Sequence, residues 1–325
     1  MDHCFIGLDG GGSKTAGALV TSAGVVLATA SAGPSSIVGK PSPRACRVLR
    51  SLVGRLCRET GLSQARLTGC GIGLSGIDFD DEFEMQHSGL AAALQVPRRR
   101  LTLVNDGIAA LWGATGSRAA VILQHGTGFT AAYRSTYGRE ALFDHLDAGR
   151  CFDLRWAALA AVARMIDGRA KPSALKRALL AAFDIEDESQ YAGFVYRRQF
   201  SPEQWNRIAP AVFAAWADGD RAAVAIIERA AADYASAVSA MIGKAGRGRP
   251  DVVFGGGVLT NAPERFWTRL TNAVMRDCPH AAVKRPALPP AIGAAIMAAF
   301  AAGHDPRRLF HSILLSTTNT RNARQ

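Results

Sequence analysis

The chain has 325 residues, which is enough for two domains of ordinary size. Its 48% apolar and 20% charged residues are typical of a globular protein, and no run of about 18 apolar residues predicts a membrane span. The net charge of +11 raises the question of nucleic acid, but the basic residues are dispersed apart from Arg98–Arg100. No nucleic-acid-binding motif accompanies them, so we expect no nucleic-acid partner.

The amino-terminal residues and the cysteines bear on the compartment. Residues 1–5 show neither the basic nor the apolar segment of a signal peptide. The six cysteines are scattered, without a C-x-x-C pair, as is common in a reducing compartment. We therefore expect a cytoplasmic protein.

Residues 4–20 predict a strand, an acidic residue, a glycine turn and a second strand. Asp9 ends the first strand, and Gly10, Gly11 and Gly12 follow it. Backbone N–H groups in such a turn can bind phosphate oxygens, and a carboxylate at its mouth can hold Mg²⁺. A P-loop would need lysine where Ser13 stands, and a dinucleotide loop would open a helix rather than a strand. The segment is a phosphate-binding hairpin or a purely structural turn.

The rest of the first third alternates strand and helix signals, as an α/β domain should. After a third strand near residues 25–28, the pattern predicts a helix over 41–59, a strand over 67–74, a helix over 79–94, a strand over 101–104 and a helix over 108–114. We place a domain boundary after residue 117, with a first domain over 1–117 and a second over 118–325.

The second domain begins with a similar hairpin. Strands are predicted over 119–123 and 129–133, joined by a small-residue turn. Helical periodicity then dominates an insertion at about 152–245, followed by a strand over 251–254, a helix over 262–275, a short strand over 281–284 and a closing helix over 290–302. We expect the tail from about residue 304 to be loosely held.

The ordered motifs resemble one family. They are Asp9–Thr15, Gly73–Gly76, Asn105–Gly107, Gly126–Gly128 and Gly255–Val258, followed by Pro289–Ala295. Together they resemble the BadF/BadG-type ATPase and N-acetylglucosamine kinase family of the actin, hexokinase and Hsp70 superfamily, over residues 4–300. The resemblance implies an α/β protein with two actin-like ATPase (ribonuclease H-like) domains facing each other across a nucleotide cleft.

The resemblance also implies ATP and Mg²⁺ as cofactors, with Asp9 on the metal side. The residues expected to bind the nucleotide are Gly10, Gly11, Gly12, Ser13, Lys14, Thr15, Gly126, Thr127, Gly128, Gly255, Gly256 and Gly257. A glycine-rich strand-to-helix turn is the alternative interpretation of the last three.

Asp106 is the candidate catalytic base. It follows a predicted strand, and the kinases of this family carry their catalytic aspartate in such an Asn-Asp step. A carboxylate there can accept the proton of a sugar hydroxyl. Asp106 could also cap the following helix, and the two roles are compatible. Asn105 is expected to fix the turn or to contact the substrate.

The sugar half departs from the family pattern. Where the family carries Gly-Gly-Trp-Gly and then Gly-Asp-Glu-Gly-Ser, this chain has residues 139–142 and 146–150, and Asp147 and Gly149 alone keep their identities. The substrate asparagine is replaced by Ser35-Ser36, and Phe129 follows the second glycine turn in place of serine. His125 either packs the turn or touches phosphate. The expected substrate residues are Ser36, Asn105, Asp106, His145 and Asp147.

These observations predict an ATP-dependent kinase for an amino sugar (N-acetylglucosamine or glucosamine) or a related hexose. Three alternatives stay open. They are a kinase for a different substrate, since the altered segment lacks the acetamido-sugar signature, a BadF-like ATPase that couples hydrolysis to a partner protein, and a non-catalytic nucleotide or sugar sensor. No cysteine lies in a motif like that of the iron–sulfur activators. The sequence is compatible with a homodimer.

Overall fold

A computed structural model of the chain describes residues 2–143, 146, 149–246 and 248–322. Its contacts divide the chain into two compact units. The first comprises residues 1–144, 241–256 and 280–325, and the second comprises residues 145–240 and 257–279. Both β-sheets belong to the first unit.

The described residues form ten strands and twelve α-helices. The strands are β1 Cys4–Gly10, β2 Thr15–Thr21, β3 Val26–Ala32, β4 Gly69–Leu74, β5 Leu101–Asn105, β6 Ala120–His125, β7 Phe129–Arg134, β8 Glu140–Leu142, β9 Asp251–Gly255 and β10 Ala282–Lys284. The helices are α1 Pro43–Thr60, α2 Asp80–Leu94, α3 Asp106–Ala114, α4 Leu154–Ile166, α5 Ala174–Ala182, α6 Tyr191–Tyr196, α7 Pro202–Ala217, α8 Arg221–Ala245, α9 Gly256–Thr260, α10 Glu264–Asp277, α11 Pro290–Ala301 and α12 Pro306–Asn322.

The first sheet has the strand order β3-β2-β1-β4-β5. The first three strands form an antiparallel meander, while β4 and β5 run parallel to β1. Asp9 is opposite Gly73, and Leu74 is opposite Asn105. The carboxyl ends of β1, β4 and β5 therefore meet at one edge of the sheet, where ligand sites form in α/β proteins.

The second sheet has the order β10-β9-β6-β7-β8. Its β6–β7 hairpin corresponds to the β1–β2 hairpin of the first sheet, and β9 runs parallel to β6 with Gly255 opposite Gln124. The α/β fold with two five-stranded sheets confirms the coarse prediction from the alternating sequence pattern.

Helices α3 and α11 pack very closely on the first sheet. A Cβ on Gly7 would lie 1.9 Å from the carbonyl oxygen of Ala291, and one on Gly71 would lie 1.9 Å from that of Ala294. Only glycine permits backbone to approach backbone so closely. The small residues of the closing motif thus seat α11 on β1 and β4.

The second unit is helical. Helix α7 begins with a capping box at Ser201, whose hydroxyl accepts from Gln204 N while the Gln204 side chain accepts from Ser201 N. Arg155 in α4 is fully buried, where it pairs with Asp153 and lies 4.5 Å over the ring of Trp205. Helices α4–α8 lie within the stretch of predicted helical periodicity at about 152–245, and the second unit also includes residues 257–279.

Three expectations differ from the structure. The boundary after residue 117 falls inside the first unit. The helix predicted over 262–275 begins at Glu264 and is preceded by the short α9. The prediction of a loosely held tail from about residue 304 is wrong, because these residues form α12. Leu309, Phe310 and Ile313 recur there at helical spacing, and their side chains are buried. None of the described helices combines the length and apolar character that crossing a membrane requires.

Candidate active site

The first glycine turn connects β1 to β2 and is held by the loop at residues 33–36. Gly11 N donates to Lys14 O at 3.0 Å, which closes the hairpin. The carbonyl of Gly11 accepts from Ser35 N and Ser36 N at 3.2 and 3.3 Å. Gly12, Ser13 and Lys14 are exposed at the tip. The turn is therefore both fixed and accessible, as a phosphate site requires.

Thr15 does not share that exposure. It is fully buried, and its hydroxyl donates to Gly33 O at 2.6 Å or Ser35 Oγ at 2.8 Å. The side chain therefore fixes the loop that carries Ser36, which differs from the predicted contact with the nucleotide. Ser36 itself is exposed beside the turn, with its Oγ 3.9 Å from the position that a Cβ on Gly12 would take.

Asp9 is half-buried near the end of β1. Burial raises its pKa to about 6, and the positive charge of Lys14 opposes the rise. A carboxylate that is costly to ionise in this position gains from a nearby cation.

Asn105 and Asp106 lie at the junction of β5 and α3. Asn105 is the N-cap of α3, because its Oδ1 accepts from Gly107 N at 2.7 Å. Its Nδ2 donates to Asp78 Oδ1 at 2.6 Å. The capping role that the sequence allowed for Asp106 therefore belongs to Asn105, and Asp106 occupies the first position of the helix.

Asp106 has an elevated pKa of about 7. Burial is the main cause, and the negative charges of Asp9 and Asp78 add to it, while the N–H of Gly107 opposes it. A carboxylate with a pKa near neutrality suits general base catalysis, because it is ionised at working pH yet basic enough to accept a proton.

The second glycine turn is closed by a hydrogen bond from Gly126 N to Gly128 O at 2.9 Å. His125 before it is fully buried, and its ring stacks on Phe129 with centroids 4.1 Å apart. His125 thus packs the turn, which is one of the two roles that the sequence allowed. The exposed residues of the turn are Thr127 and Gly128.

The second hairpin packs against the start of α3. A Cβ on Gly107, next to Asp106, would lie 2.4 Å from Thr130 Cγ2 on β7. Thr130 is two residues beyond Gly128. The start of α3 therefore contacts the first sheet, from which it emerges, and the hairpin strand of the second.

Some motif glycines are required by the protein itself. Gly256 has φ +80°, and a Cβ there would lie 2.5 Å from the carbonyl carbon of His125. A Cβ on Gly10 would lie 2.3 Å from Ser35 Oγ. These two glycines allow close packing, which supports a structural role for each.

Other motif glycines have no such reason. A Cβ on Gly126, Gly128 or Gly257 would meet no protein atom within 4 Å, and none of the three has a positive φ. A ligand that approaches the backbone closely would account for glycine at the two hairpin positions. Gly255 ends β9 in the first unit, whereas Gly257 belongs to the second.

Part of the predicted sugar site cannot be placed. His145 and Asp147 lie outside the described residues. In the altered segment, Glu140 accepts from Arg134 Nε at 2.6 Å and from Trp112 Nε1 at 2.8 Å. Glu140 therefore stabilises the second sheet.

Two residues near the site were missed from the sequence. Asp78 holds Asn105 and raises the pKa of Asp106. Gln86 is fully buried, and its Nε2 lies within hydrogen-bonding distance of Gly39 O and Gly76 O, both at 3.0 Å. Asp78 follows the Gly73–Gly76 motif by two residues, which is a usable signal. Gln86 has none, because its partners are distant in sequence.

The side chains fit a magnesium ion that arrives with phosphate. Among the described residues, no group of three or more His, Cys, Asp or Glu side chains is arranged to hold a metal ion. Mg²⁺ commonly uses one or two carboxylates together with substrate phosphates and water. Asp9 and Asp106 supply two carboxylates whose repulsion a divalent cation would relieve.

Comparisons with known proteins find sugar kinases among the proteins similar to this chain. The chain is 26% identical over 263 residues to the N-acetylmuramic acid/N-acetylglucosamine kinase of Clostridium acetobutylicum. The aligned region covers 79% of this chain and 85% of that protein. The crystal structure of a candidate N-acetylglucosamine kinase from Chromobacterium violaceum is 26% identical, with a TM-score of 0.69 over 91% of this chain and 99% of that one.

A ROK family glucokinase from Streptomyces griseus, solved with glucose and AMPPNP, has the same fold. Its TM-score is 0.62 at 17% identity, over 91% of this chain and 99% of that one. The sequence model of the BadF/BadG/BcrA/BcrD ATPase family matches residues 6–298. This match confirms the resemblance found in the ordered motifs, and the chain belongs to the BadF/BadG/BcrA/BcrD ATPase family.

Proposed function

We propose that the chain is an ATP-dependent sugar kinase that transfers phosphate to a hydroxyl of an amino sugar, N-acetylglucosamine or glucosamine, or of a related hexose. The observation that carries the proposal is the position of Asp106. Asp106 begins α3 within electrostatic range of Asp9 on the first hairpin, and its neighbour Gly107 packs closely against Thr130 on the second. Membership of an ATPase family and similarity to an N-acetylglucosamine kinase support it.

In this proposal the nucleotide lies in a cleft between the hairpins of the two sheets. The exposed turn residues Gly12, Ser13 and Lys14 bind phosphate oxygens on one side, and Thr127 and Gly128 bind them on the other. Asp9 would hold Mg²⁺, which when bound would supply positive charge to neutralise the phosphates. Gly257 stays a prediction for the adenosine end.

Asp106 orients the sugar hydroxyl and accepts its proton as the oxygen attacks the terminal phosphorus. The bond from that phosphorus to the bridging oxygen breaks, and ADP leaves. Its elevated pKa makes it a stronger base than an ordinary aspartate. Asn105 fixes the first turn of α3 and, through Asp78, the loop that follows β4. Ser36 is placed to contact the substrate, because it is exposed beside the first turn. Cytoplasmic location and a homodimer stay predictions.

A panel assay tests the function. ADP release would be measured with Mg·ATP alone and with N-acetylglucosamine, N-acetylmuramic acid, glucosamine and glucose, for the wild type and Asp106→Asn. We expect sugar-dependent ADP release that falls by at least about a hundredfold in the variant, with ADP affinity nearly unchanged. Sugar-independent release would favour the partner-coupled ATPase, and absence of release with retained ADP binding would favour the sensor.

A further inference from the structure

A cavity lies in the first unit, at the opposite end of α3 from Asp106. It has a volume of about 300 Å³, within the size range of small-molecule sites. Its walls include Trp112 on α3, Phe300 on α11 and Phe310 on α12. Because α3 has nine residues, this end is roughly 12 Å from Asp106 along the helix. The cavity therefore lies apart from the proposed kinase site.

The guanidinium of Arg134 brings a largely buried positive charge to the wall of this cavity. Arg134 donates through Nε to Glu140 and through Nη1 to Ser117 O at 3.1 Å, but its buried Nη2 has no partner. Both carboxylate oxygens of Glu140 are already used, by Arg134 and Trp112. A buried N–H donor without an acceptor is costly. The guanidinium lies 4.7 Å over the ring of Trp112, so its positive charge stays beside the cavity.

The charge of the lining favours an anion. Arg134 and Arg307 contribute two positive charges, and Glu140 contributes one negative charge. Arg307 is exposed on the first turn of α12 and makes no ion pair among the described residues. A phosphate or carboxylate group can accept from two guanidinium groups at once.

The remaining wall is apolar and aromatic. Trp112 and Phe300 form a tilted pair with centroids 5.5 Å apart, and Phe300 is 55% exposed. Ile296 and Phe310 complete this wall. Such a surface suits one flat ring with little polar character. This wall favours an apolar group, whereas the charged wall of the cavity favours an anion. A ligand that contacts both should therefore have one apolar end and one anionic end.

We propose that this cavity is a second ligand site, which binds a small molecule with an apolar ring that bears a phosphate or a carboxylate. The anionic group accepts hydrogen bonds from Arg307 and is attracted by the charge of Arg134, and the ring packs against Trp112 and Phe300. Glu140, from the segment that departs from the family pattern, orients both Arg134 and Trp112. The proposal does not depend on the kinase function.

Calorimetric titration with phenyl phosphate and with benzoate tests the site, with Mg·ADP present at saturation so that the nucleotide site is filled. Benzyl alcohol serves as the neutral probe. We expect saturable binding of at least one anion and at least about tenfold weaker binding of the alcohol, since a hydrogen bond to a charged group is worth about 1.5–3 kcal/mol. The two anions distinguish phosphate from carboxylate recognition.

Matched variants locate the binding. Arg307→Ala should weaken the anion at least about tenfold, whereas Arg308→Ala, the neighbouring exposed arginine outside the lining, should change it by less than about twofold. Phe300→Ala should weaken it, and Leu315→Ala, which removes an exposed side chain elsewhere on the surface, should not.

Two results would overturn the proposal. One is the absence of saturable binding of either anion up to about 10 mM, an affinity below that of most weak ligands. The other is binding that Arg307→Ala and Phe300→Ala leave at the level of their control variants. These variants change surface or cavity residues, so thermal melts that match the wild type would show that the fold is intact.

Discussion

The pKa of Asp106 is raised to about 7 by burial of its carboxyl and, next, by the negative charge of Asp9. Asp9 itself has a pKa near 6 because of burial. Two acidic groups held at one edge of a sheet are unfavourable unless a cation or a proton is shared near them. This relationship is typical of a site in which one carboxylate holds a metal ion and the other handles a proton.

The first prediction concerns stability and pH. Asp106 ionises near pH 3.8 when unfolded and near 7 when folded, so the folded state holds the proton more tightly. Its contribution to the free energy of unfolding is greatest below pH 3.8, falls as pH rises to about 7 and levels off above that. Asp106→Asn removes this loss of stability. The free energy of unfolding of the metal-free variant should therefore exceed that of the wild type by an amount that grows from pH 5 to 7.

Urea denaturation in EDTA at pH 5, 6, 7 and 8 measures this difference. Each pKa unit is worth about 1.4 kcal/mol, so the gain at pH 8 is at most about 4 kcal/mol. Solvent and the coupling to Asp9 should reduce it. A difference between variant and wild type that does not change with pH would contradict the elevated pKa of Asp106.

The second prediction concerns the metal. If Asp9 holds Mg²⁺, adding Mg²⁺ should strongly raise the affinity of the wild type for ADP. In Asp9→Asn that rise should shrink by about tenfold or more, because the carboxylate ligand is lost. Without metal, the variant should bind ADP as well as the wild type or better, because a negative charge near the phosphates is gone.

Titration of ADP in Mg²⁺ and in EDTA gives both affinities for each protein. Asp2→Asn, which removes an exposed carboxylate near the amino terminus, is the control and should retain the wild-type response to Mg²⁺. An Asp9→Asn protein with an undiminished response would place the metal ligand elsewhere.

The third prediction separates two kinds of glycine. A Cβ on Gly128 meets no protein atom within 4 Å, so Gly128→Ala should change the free energy of unfolding by less than about 0.5 kcal/mol. It should nevertheless weaken ADP binding, because the methyl group occupies space that the phosphates approach. Gly256→Ala should instead lower the free energy of unfolding by about 2 kcal/mol or more. The φ of Gly256 is +80°, and an added Cβ would lie 2.5 Å from the carbonyl carbon of His125.

Chemical denaturation and ADP titration of the two variants measure the contrast. If Gly128→Ala binds ADP with wild-type affinity, the second turn does not contact the phosphates. If Gly256→Ala is as stable as the wild type, the crowding at the end of β9 has relaxed at little cost.

Local sequence signals predicted most of the sheet that carries the candidate site. Asp9 and Asp106 follow apolar strands, and parallel strands place their carboxyl ends at one edge, so their proximity follows from the pattern. The burial of Thr15 does not, because it depends on Gly33 and Ser35, which are 18 and 20 residues away. Contacts that are distant in sequence decide whether a polar side chain faces a ligand or the protein interior.

The carboxyl-terminal helix α12 is a second case in which contacts distant in sequence decide the structure. Residues after 304 are polar and basic enough to suggest a loose tail, yet the apolar positions of α12 fit a surface that other segments create. Ile313 is fully buried in a cluster with Phe5, Val20 and Ile292. The hydroxyl of Ser316 lies 2.9 Å from Gly24 O, where it can donate a hydrogen bond.

The fourth prediction tests that helix directly. Ile313→Ala should lower the free energy of unfolding by about 2–5 kcal/mol, because it removes a fully buried side chain and leaves a cavity. Leu315→Ala lies on the same helix, but its side chain is 66% exposed, so its effect should stay within about 0.5 kcal/mol. Denaturant unfolding of both variants gives the comparison. Equal stability of the two would mean that the helix does not hold to the first sheet in solution, because packing against Phe5 and Val20 is what distinguishes position 313 from position 315.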